Sequence, residues 1–240
     1  MKAEKTVLIT GANQGLGFET AKQLAKLGNY VYIGSRDKSK GIEAKQKLHK
    51  SGFSNVEFIE IDVTDIKSIK SARQELGAKT QKLDVLINNA GIAGEQVQNM
   101  SAGNIENLRK VFETNFFGAV QTTQQFIDLL KKSDEPRIVN VSSGLASLTY
   151  HSSSPDFGMY AAYSSSKTAL NAFTVMLAKE FRNTNFKINS VEPGYTATNL
   201  NQYQGTQTVE QAVGIIIKYA AIGNDAPTGK FFNKEGEFPW

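Results

Sequence analysis

The first apolar run of the chain, Thr6-Val7-Leu8-Ile9, passes directly into Thr10-Gly11-Ala12-Asn13-Gln14-Gly15-Leu16-Gly17. Three glycines between a β-branched run and a segment of helical period dictate a strand, a tight turn and a helix, in that order. Gly11 suits the turn, Gly15 leaves room for a close approach of backbone, and Gly17 permits tight packing of the helix. The first turn of such a helix presents unbonded N–H groups at the positive end of its dipole, which makes it a seat for an anion. A dinucleotide pyrophosphate fits that geometry, with Asn13, Gln14 and Leu16 in the same turn.

Behind this unit, short β-branched runs keep alternating with longer segments of helical period. The runs are Tyr30 to Ile33, Val56 to Ile61, Leu83 to Asn88, Arg137 to Val141 and Lys187 to Val191, with Lys230-Phe231-Phe232 as a last strand. Between them the spacing predicts helices over Glu19 to Leu27, Ser39 to Lys50, Ile66 to Ala78, Ile105 to Lys132 and Tyr163 to Phe181. This pattern predicts an α/β fold: a Rossmann-type doubly wound sheet of about seven parallel strands, flanked by helices on both faces. A chain of 240 residues suits one core, so residues 1–240 are expected to form a single domain. Ser152-Ser153-Ser154-Pro155 reads as a loop, and the polar stretch Asn199 to Thr208 as a surface excursion with the character of a lid.

Composition removes several classes. The formal charge of +4 comes from scattered lysines without a like-charge run, so no nucleic-acid arm is expected. The start Met1-Lys2-Ala3-Glu4-Lys5 leads into an apolar stretch too short for a signal or a membrane span, and a cytoplasmic location is expected. With no cysteine and only His49 and His151, neither a metal site nor a serine-hydrolase triad has its parts. Asn140-Val141-Ser142 matches a glycosylation sequon but falls in a strand pattern, where chance explains it better.

Four further blocks complete a resemblance. Asn88-Asn89-Ala90-Gly91 ends the fourth strand, and Thr114-Asn115-Phe116-Phe117-Gly118 lies in the long helical stretch. Tyr163-Ser164-Ser165-Ser166-Lys167 follows Ser142-Ser143 and opens another helix. With the spacing Gly-x-x-x-Gly-x-Gly, these blocks resemble the short-chain dehydrogenase/reductase family over essentially the whole chain. Within it the nearest resemblance is to carbonyl reductases, through Gly34-Ser35-Arg36-Asp37, Thr114 to Gly118 and the ending Gly229-Lys230-Phe231-Phe232.

The resemblance implies a nicotinamide cofactor held by the glycine turn. Asp62 and Val63 would border its adenine, and Asn89, Ala90 and Gly91 its adenosine ribose. Ser35 stands where family members using NAD carry an acid, and Arg36 follows, whose guanidinium can grip a 2′-phosphate with two charge-assisted bonds. NADP(H) is therefore the expected cofactor. Asp37 and the uncharged Gln14 leave NAD(H) as a second choice. Pro193-Gly194-Tyr195-Thr196-Ala197-Thr198 resembles the segment that binds the nicotinamide carboxamide, with the Thr196 backbone and the Thr198 hydroxyl as its donors.

Hydride transfer to a carbonyl builds negative charge on oxygen, which needs donors and a proton source. Tyr163 can supply the proton, and Lys167, one helical turn on, shares its face and favours phenolate. By resemblance Ser143 holds the substrate oxygen, Asn115 organises a water relay, and Lys167 also holds the nicotinamide ribose. Ser142 and Tyr160 are the runners-up for the serine and tyrosine roles. The expected activity is NADP(H)-dependent reduction of an aldehyde, ketone or quinone, or the reverse, on a small-molecule substrate. The alternative is a protein that senses NADP(H) with little turnover. The chain lacks the long insertion that vertebrate carbonyl reductases carry before the tyrosine, so a homodimer or homotetramer is the expected assembly. Leu145, Leu148, Tyr150, Phe157, Met159, Tyr160, Tyr195 and Tyr203 flank these segments as an apolar pocket or as packing.

Overall fold

Short runs of Val, Ile and Leu with no exposed face can only be stable as interior strands, and that is where the chain places them. The computed structural model describes residues 4–95, 98–154 and 157–240. The first half runs β1 (Thr6–Ile9), α1 (Gly15–Lys26), β2 (Tyr30–Ser35), α2 (Lys38–Lys50), β3 (Val56–Glu60), α3 (Ile66–Lys79) and β4 (Val85–Asn88). Then come α4 (Ile105–Phe112), a π-helical turn over Glu113–Phe117, α5 (Gly118–Leu130), β5 (Arg137–Val141), α6 (Leu148–Ser153), α7 (Ala161–Glu180) and β6 (Lys187–Val191). Two short helices, α8 (Val209–Ala212) and α9 (Gly214–Ala220), precede the hairpin of β7 (Phe231–Asn233) and β8 (Gly236–Glu237).

The sheet has the order β3-β2-β1-β4-β5-β6-β7-β8. Strands β1 to β7 are parallel, and β8 pairs antiparallel with β7. Alternation along β1 sends Val7 and Ile9 into the core layer with Leu24, Leu48 and Ile216, while Leu8 joins Ile69, Leu76, Phe126 and Leu177 on the other face. The strand order reverses between β1 and β4, which opens a crevice at the carboxyl ends of the strands. No helix among the described residues is long and apolar enough to cross a membrane.

Several boundaries differ from the sequence expectation, each for a local reason. Among the described residues the sheet has eight strands where about seven were expected: β8 is too short for a period, and is set by Asn233, whose Oδ1 accepts from the N–H of Glu235 (2.9 Å) and Gly236 (3.1 Å). Helix α1 begins at Gly15, four residues earlier than the apolar period alone indicates. The long stretch from Ile105 is broken by the π turn, an irregularity that tends to mark functional positions. Ser152 and Ser153 belong to α6 instead of a loop, because Ser147 caps that helix through the Tyr150 N–H (3.2 Å) and both hydroxyls bond back to the Thr149 carbonyl. Pro155 of the same expected loop, and Met1, Lys2 and Ala3 at the start, lie outside the described residues. Asn140 of the sequon is fully buried and hydrogen-bonded to Asn88 and Thr174.

The opposite edge of the sheet is fastened by Arg137, whose side chain is completely buried at the start of β5. Its guanidinium donates to the carbonyls of Ile222 (2.8 Å), Pro136 and Asn185 (both 3.0 Å) and to Asn224 Oδ1 (2.9 Å). It thereby ties the loop after α9 to the amino end of β5. Arg137→Met fills a similar volume and removes the donor that the Ile222 and Asn185 carbonyls and Asn224 Oδ1 accept from, so it is expected to lower unfolding stability by about 3 kcal/mol, measured by urea denaturation.

Candidate active site

The glycine turn has the backbone its residues foretell. Gly11 and Gly15 take φ of +63° and +56°, which side chains rarely adopt. A Cβ on Gly17 would lie 2.6 Å from both Asn89 Nδ2 and the Gly11 carbonyl, so only glycine fits under α1. Asn89 locks this turn: its Nδ2 donates to the carbonyls of Thr10 (2.9 Å) and Gly11 (3.0 Å). Thr10 Oγ1 in return accepts from the N–H groups of Asn89 (3.1 Å) and Ala90 (3.0 Å). Gln14 caps α1 without a side-chain bond and no acid stands in its first turn, so the N–H donors and dipole face the crevice uncompensated.

Ser35 is buried, with its hydroxyl donating to the Asp37 carbonyl at 3.0 Å, while Arg36 is exposed. Asp37 is spent locally as the N-cap of α2, accepting from the Lys40 N–H (3.0 Å) and the Ser39 hydroxyl (2.6 Å). Those donors hold its carboxyl below the usual range. Lys40, unremarked in the sequence, joins Asn13, Gln14, Glu43, Ala44 and Lys47 around a cleft of about 200 Å³ beside the glycine turn. Its one-turn distance from Arg36 across an intervening cap was the available signal.

Asp62 forms an Asx turn with Thr64 (2.9 Å to its N–H, 2.7 Å to its hydroxyl), and Asp65 caps α3. The Val63 side chain is buried against Gly118. A Cβ on Gly15 would lie 3.7 Å from Thr198 Cγ2, which places the Pro193–Thr198 segment over the glycine turn. Gly194 takes φ +89°, and Thr196 Oγ1 donates to its carbonyl at 2.9 Å. Thr198 opens a 3₁₀ turn over Asn199–Asn201. The excursion that follows is pinned at its neck by the Ala197 N–H donating to the Gln207 carbonyl at 2.9 Å.

Tyr163 and Lys167 share one face of α7, with Lys167 Nζ 5.8 Å from the centre of the Tyr163 ring. Lys167 is buried and donates to the Val141 carbonyl at 2.7 Å, which anchors α7 to the end of β5. Ser143, next but one along the chain, presents its hydroxyl to the Tyr163 phenol and favours its ionised form. Ser142 is buried instead, its hydroxyl without a protein partner. Burial pushes the Tyr163 phenol up to about 12, reinforced by the negative charge of Glu192 and opposed by Ser143. Burial also pushes the Lys167 ammonium down to about 8. Burial thus favours the uncharged form of each group.

Asn115 lies in the π turn with its amide fully engaged: Oδ1 accepts from the Ile92 N–H (2.8 Å), and Nδ2 donates to the Ile92 carbonyl and Ser166 Oγ (both 3.0 Å). Gly91 separates it from Lys167, since a Cβ there would lie 3.3 Å from Asn115 Oδ1 and 3.5 Å from Lys167 Nζ. A residue without a sequence signal completes the frame. Buried Gln98 accepts from the Tyr163 N–H through Oε1 (3.0 Å) and donates to the carbonyls of Ala93 (2.7 Å) and Glu95 (2.9 Å). It caps α7 from the loop after β4, a long-range contact that local spacing does not encode.

Of the apolar residues flanking the site, Tyr150, Leu148, Met159, Tyr160, Tyr195 and Tyr203 are exposed, with Tyr150 also stacked on Phe238 and packed against Phe157. No group of three or more His, Asp or Glu side chains suited to a metal occurs among the described residues.

Residues 5–208 match the family model for short chain dehydrogenases. Salutaridine reductase of Papaver bracteatum is 31% identical, over 95% of this chain and 94% of its own. The (+)-neomenthol dehydrogenase of Capsicum annuum is 32% identical, over 97% and 98%. Among solved structures, the NADPH-bound carbonyl reductase from chicken fatty liver superposes with a TM-score of 0.86 at 29% identity, covering 99% of both chains. With its glycine turn, its Ser143, Tyr163 and Lys167 cluster and this extent of likeness, the chain belongs to the short-chain dehydrogenase family.

Proposed function

We propose that the protein is an NADP(H)-dependent oxidoreductase that reduces a carbonyl to an alcohol, or runs the reverse reaction, with Tyr163 as the general acid/base. The observation that carries this reading is the convergence of Tyr163, Ser143 and Lys167 at the carboxyl edge of the sheet, facing an uncapped glycine turn. Those residues fit a dinucleotide: the turn admits backbone-close phosphates, and its helix offers free N–H donors to them.

When bound, the cofactor supplies the hydride. Gly11, Asn13, Gln14, Gly15, Leu16 and Gly17 would hold its pyrophosphate side, and Asp62, Val63, Asn89, Ala90 and Gly91 its adenosine. Pro193, Gly194, Thr196 and Thr198 would hold its carboxamide, and Tyr163 and Lys167 its nicotinamide ribose. Ser35 presents no charge to a 2′-phosphate, Arg36 beside it is exposed, and Lys40 lines the cleft with its Nζ 3.7 Å from Asp37, whose carboxylate also caps α2. That set favours NADP(H) over NAD(H). The NADPH in the chicken carbonyl reductase supports the same choice.

The chain's own groups then do the acid chemistry. Ser143 donates a hydrogen bond to the substrate oxygen, and Tyr163, neutral across the physiological range, delivers its proton as charge builds there. The buried Lys167 ammonium supports the phenolate left behind. Asn115 keeps the π turn, the Ile92 loop and α7 in one register. The exposed Tyr160, Tyr195, Tyr203, Leu148 and Met159 favour a small apolar carbonyl substrate, as do the names of the relatives, a salutaridine reductase and a neomenthol dehydrogenase.

Turnover assays with aldehydes, ketones and quinones, followed by NADPH absorbance, test the reading. NADPH binding without consumption across that panel would instead identify a sensor. Tyr163→Phe is expected to lower turnover by on the order of 10² to 10⁴ with NADPH affinity retained. Arg36→Ala and Lys40→Ala are each expected to raise the KM for NADPH by on the order of tenfold while leaving that for NADH unchanged, the loss of one charge-assisted bond. Because the ammonium of Lys167 is the useful form and is lost as pH rises through about 8, kcat/KM for NADPH should decline above that pH in a rate profile.

A further inference from the structure

Glu192 stands between the end of β6 and Pro193, and its backbone continues the sheet, its N–H donating to the Phe232 carbonyl at 2.7 Å. Its side chain turns inward instead of towards solvent. Oε1 accepts from the Gly194 N–H at 2.7 Å, and the Gly144 N–H favours the same carboxylate electrostatically from the turn after Ser143. A Cβ on Gly144 would lie 3.6 Å from Glu192 Cγ and 3.8 Å from Oε1, so the carboxylate rests on the turn that follows Ser143. One side chain thus spans two turns that leave adjacent strands, β5 and β6, and that carry Ser143 and the Pro193–Thr198 segment.

Two charged side chains act on this carboxylate. Lys234 and Glu235, from the β7–β8 turn, act on it with opposite signs, and the Tyr163 phenol faces it from α7. Burial raises its pKa, while the two backbone donors favour the anion. A glutamate that served packing alone would be replaced without loss by an apolar side chain of the same size, because burying an acid is unfavourable.

We infer that Glu192 is a positioning residue: it clasps the Ser143–Gly144 turn to the Pro193–Gly194 turn and sets a negative charge beside the Tyr163 phenol. This assignment rests on the oxidoreductase reading for its consequence. The clasp fixes the serine hydroxyl against the phenol, and the charge favours the proton-bearing phenol, the form a reductase needs.

Two variants separate clasp from charge. Glu192→Gln keeps length and an acceptor oxygen and deletes the charge; Glu192→Asp keeps the charge and loses reach. Tyrosinate absorbance between pH 9 and 12, with the spectrum of the matching Tyr163→Phe protein subtracted, reports the phenol directly. Its onset in Glu192→Gln is expected to fall by on the order of one pH unit, and in Glu192→Asp to stay at the wild-type position. The rising limb of alcohol oxidation with NADP⁺ should move with it, and Glu192→Asp should lose kcat by on the order of tenfold at an unmoved limb. An unmoved onset in Glu192→Gln overturns the charge role, and wild-type kcat in Glu192→Asp overturns the clasp. Glu192→Ala is the second neutral variant if the glutamine protein does not fold. Should the wild type reduce no carbonyl at all, the oxidoreductase reading fails, while the absorbance comparison still decides the placement of the charge.

Discussion

The hydrogen bond from Lys167 Nζ to the Val141 carbonyl is the contact on which the arrangement of this site depends. It is buried, it is charge-assisted, and it joins the longest helix, α7, to the carboxyl end of a central strand. A surface lysine would be free to choose among many rotamers. Enclosed here, it has one satisfied geometry, and that geometry brings Tyr163 to the place where β5 delivers Ser143. The same enclosure lowers the proton affinity of the ammonium and raises that of the phenol, so position and chemistry share a cause.

Around that contact the interior is braced by polar side chains as well as by Val, Ile and Leu. Thr123, Asn88, Asn140, Thr174 and Ser190 form a hydrogen-bonded row that crosses β4, β5 and β6 and reaches α5 and α7. Asn88, Asn140 and Ser190 are register neighbours in the sheet, so the row fixes strand alignment next to the crevice. Buried polar rows of this kind are directional, and a shift of register would leave each member unpaired. Gln98 and Asn115 extend the bracing outwards, tying the loop after β4 to the first turns of α7.

Much of this was legible in the residues. The glycine spacing foretold the strand, turn and helix because glycine takes φ near +60° without strain and alone admits a 2.6 Å approach to neighbouring backbone. Short β-branched runs between segments of period 3.6 located the parallel strands, and the one-turn interval placed Tyr163 and Lys167 on one face. Other features left no local trace. The π turn at Asn115 looks like ordinary helix in the sequence, and the hairpin strand β8 is too short to show a period. Gln98 and Lys40 acquire their positions from contacts with segments distant in the chain or across a cleft.

The sequence by itself determined the order of strands and helices, the anion-binding turn and the side chains that can exchange a proton, since all of these follow from local backbone preference and side-chain type. Tertiary structure alone decided which serine meets the phenol, how far burial moves the tyrosine and lysine, and where the charge of Glu192 comes to rest. The physical reason is that desolvation and electrostatic interaction depend on what surrounds a group in space, and those neighbours come from strands and turns far apart along the chain.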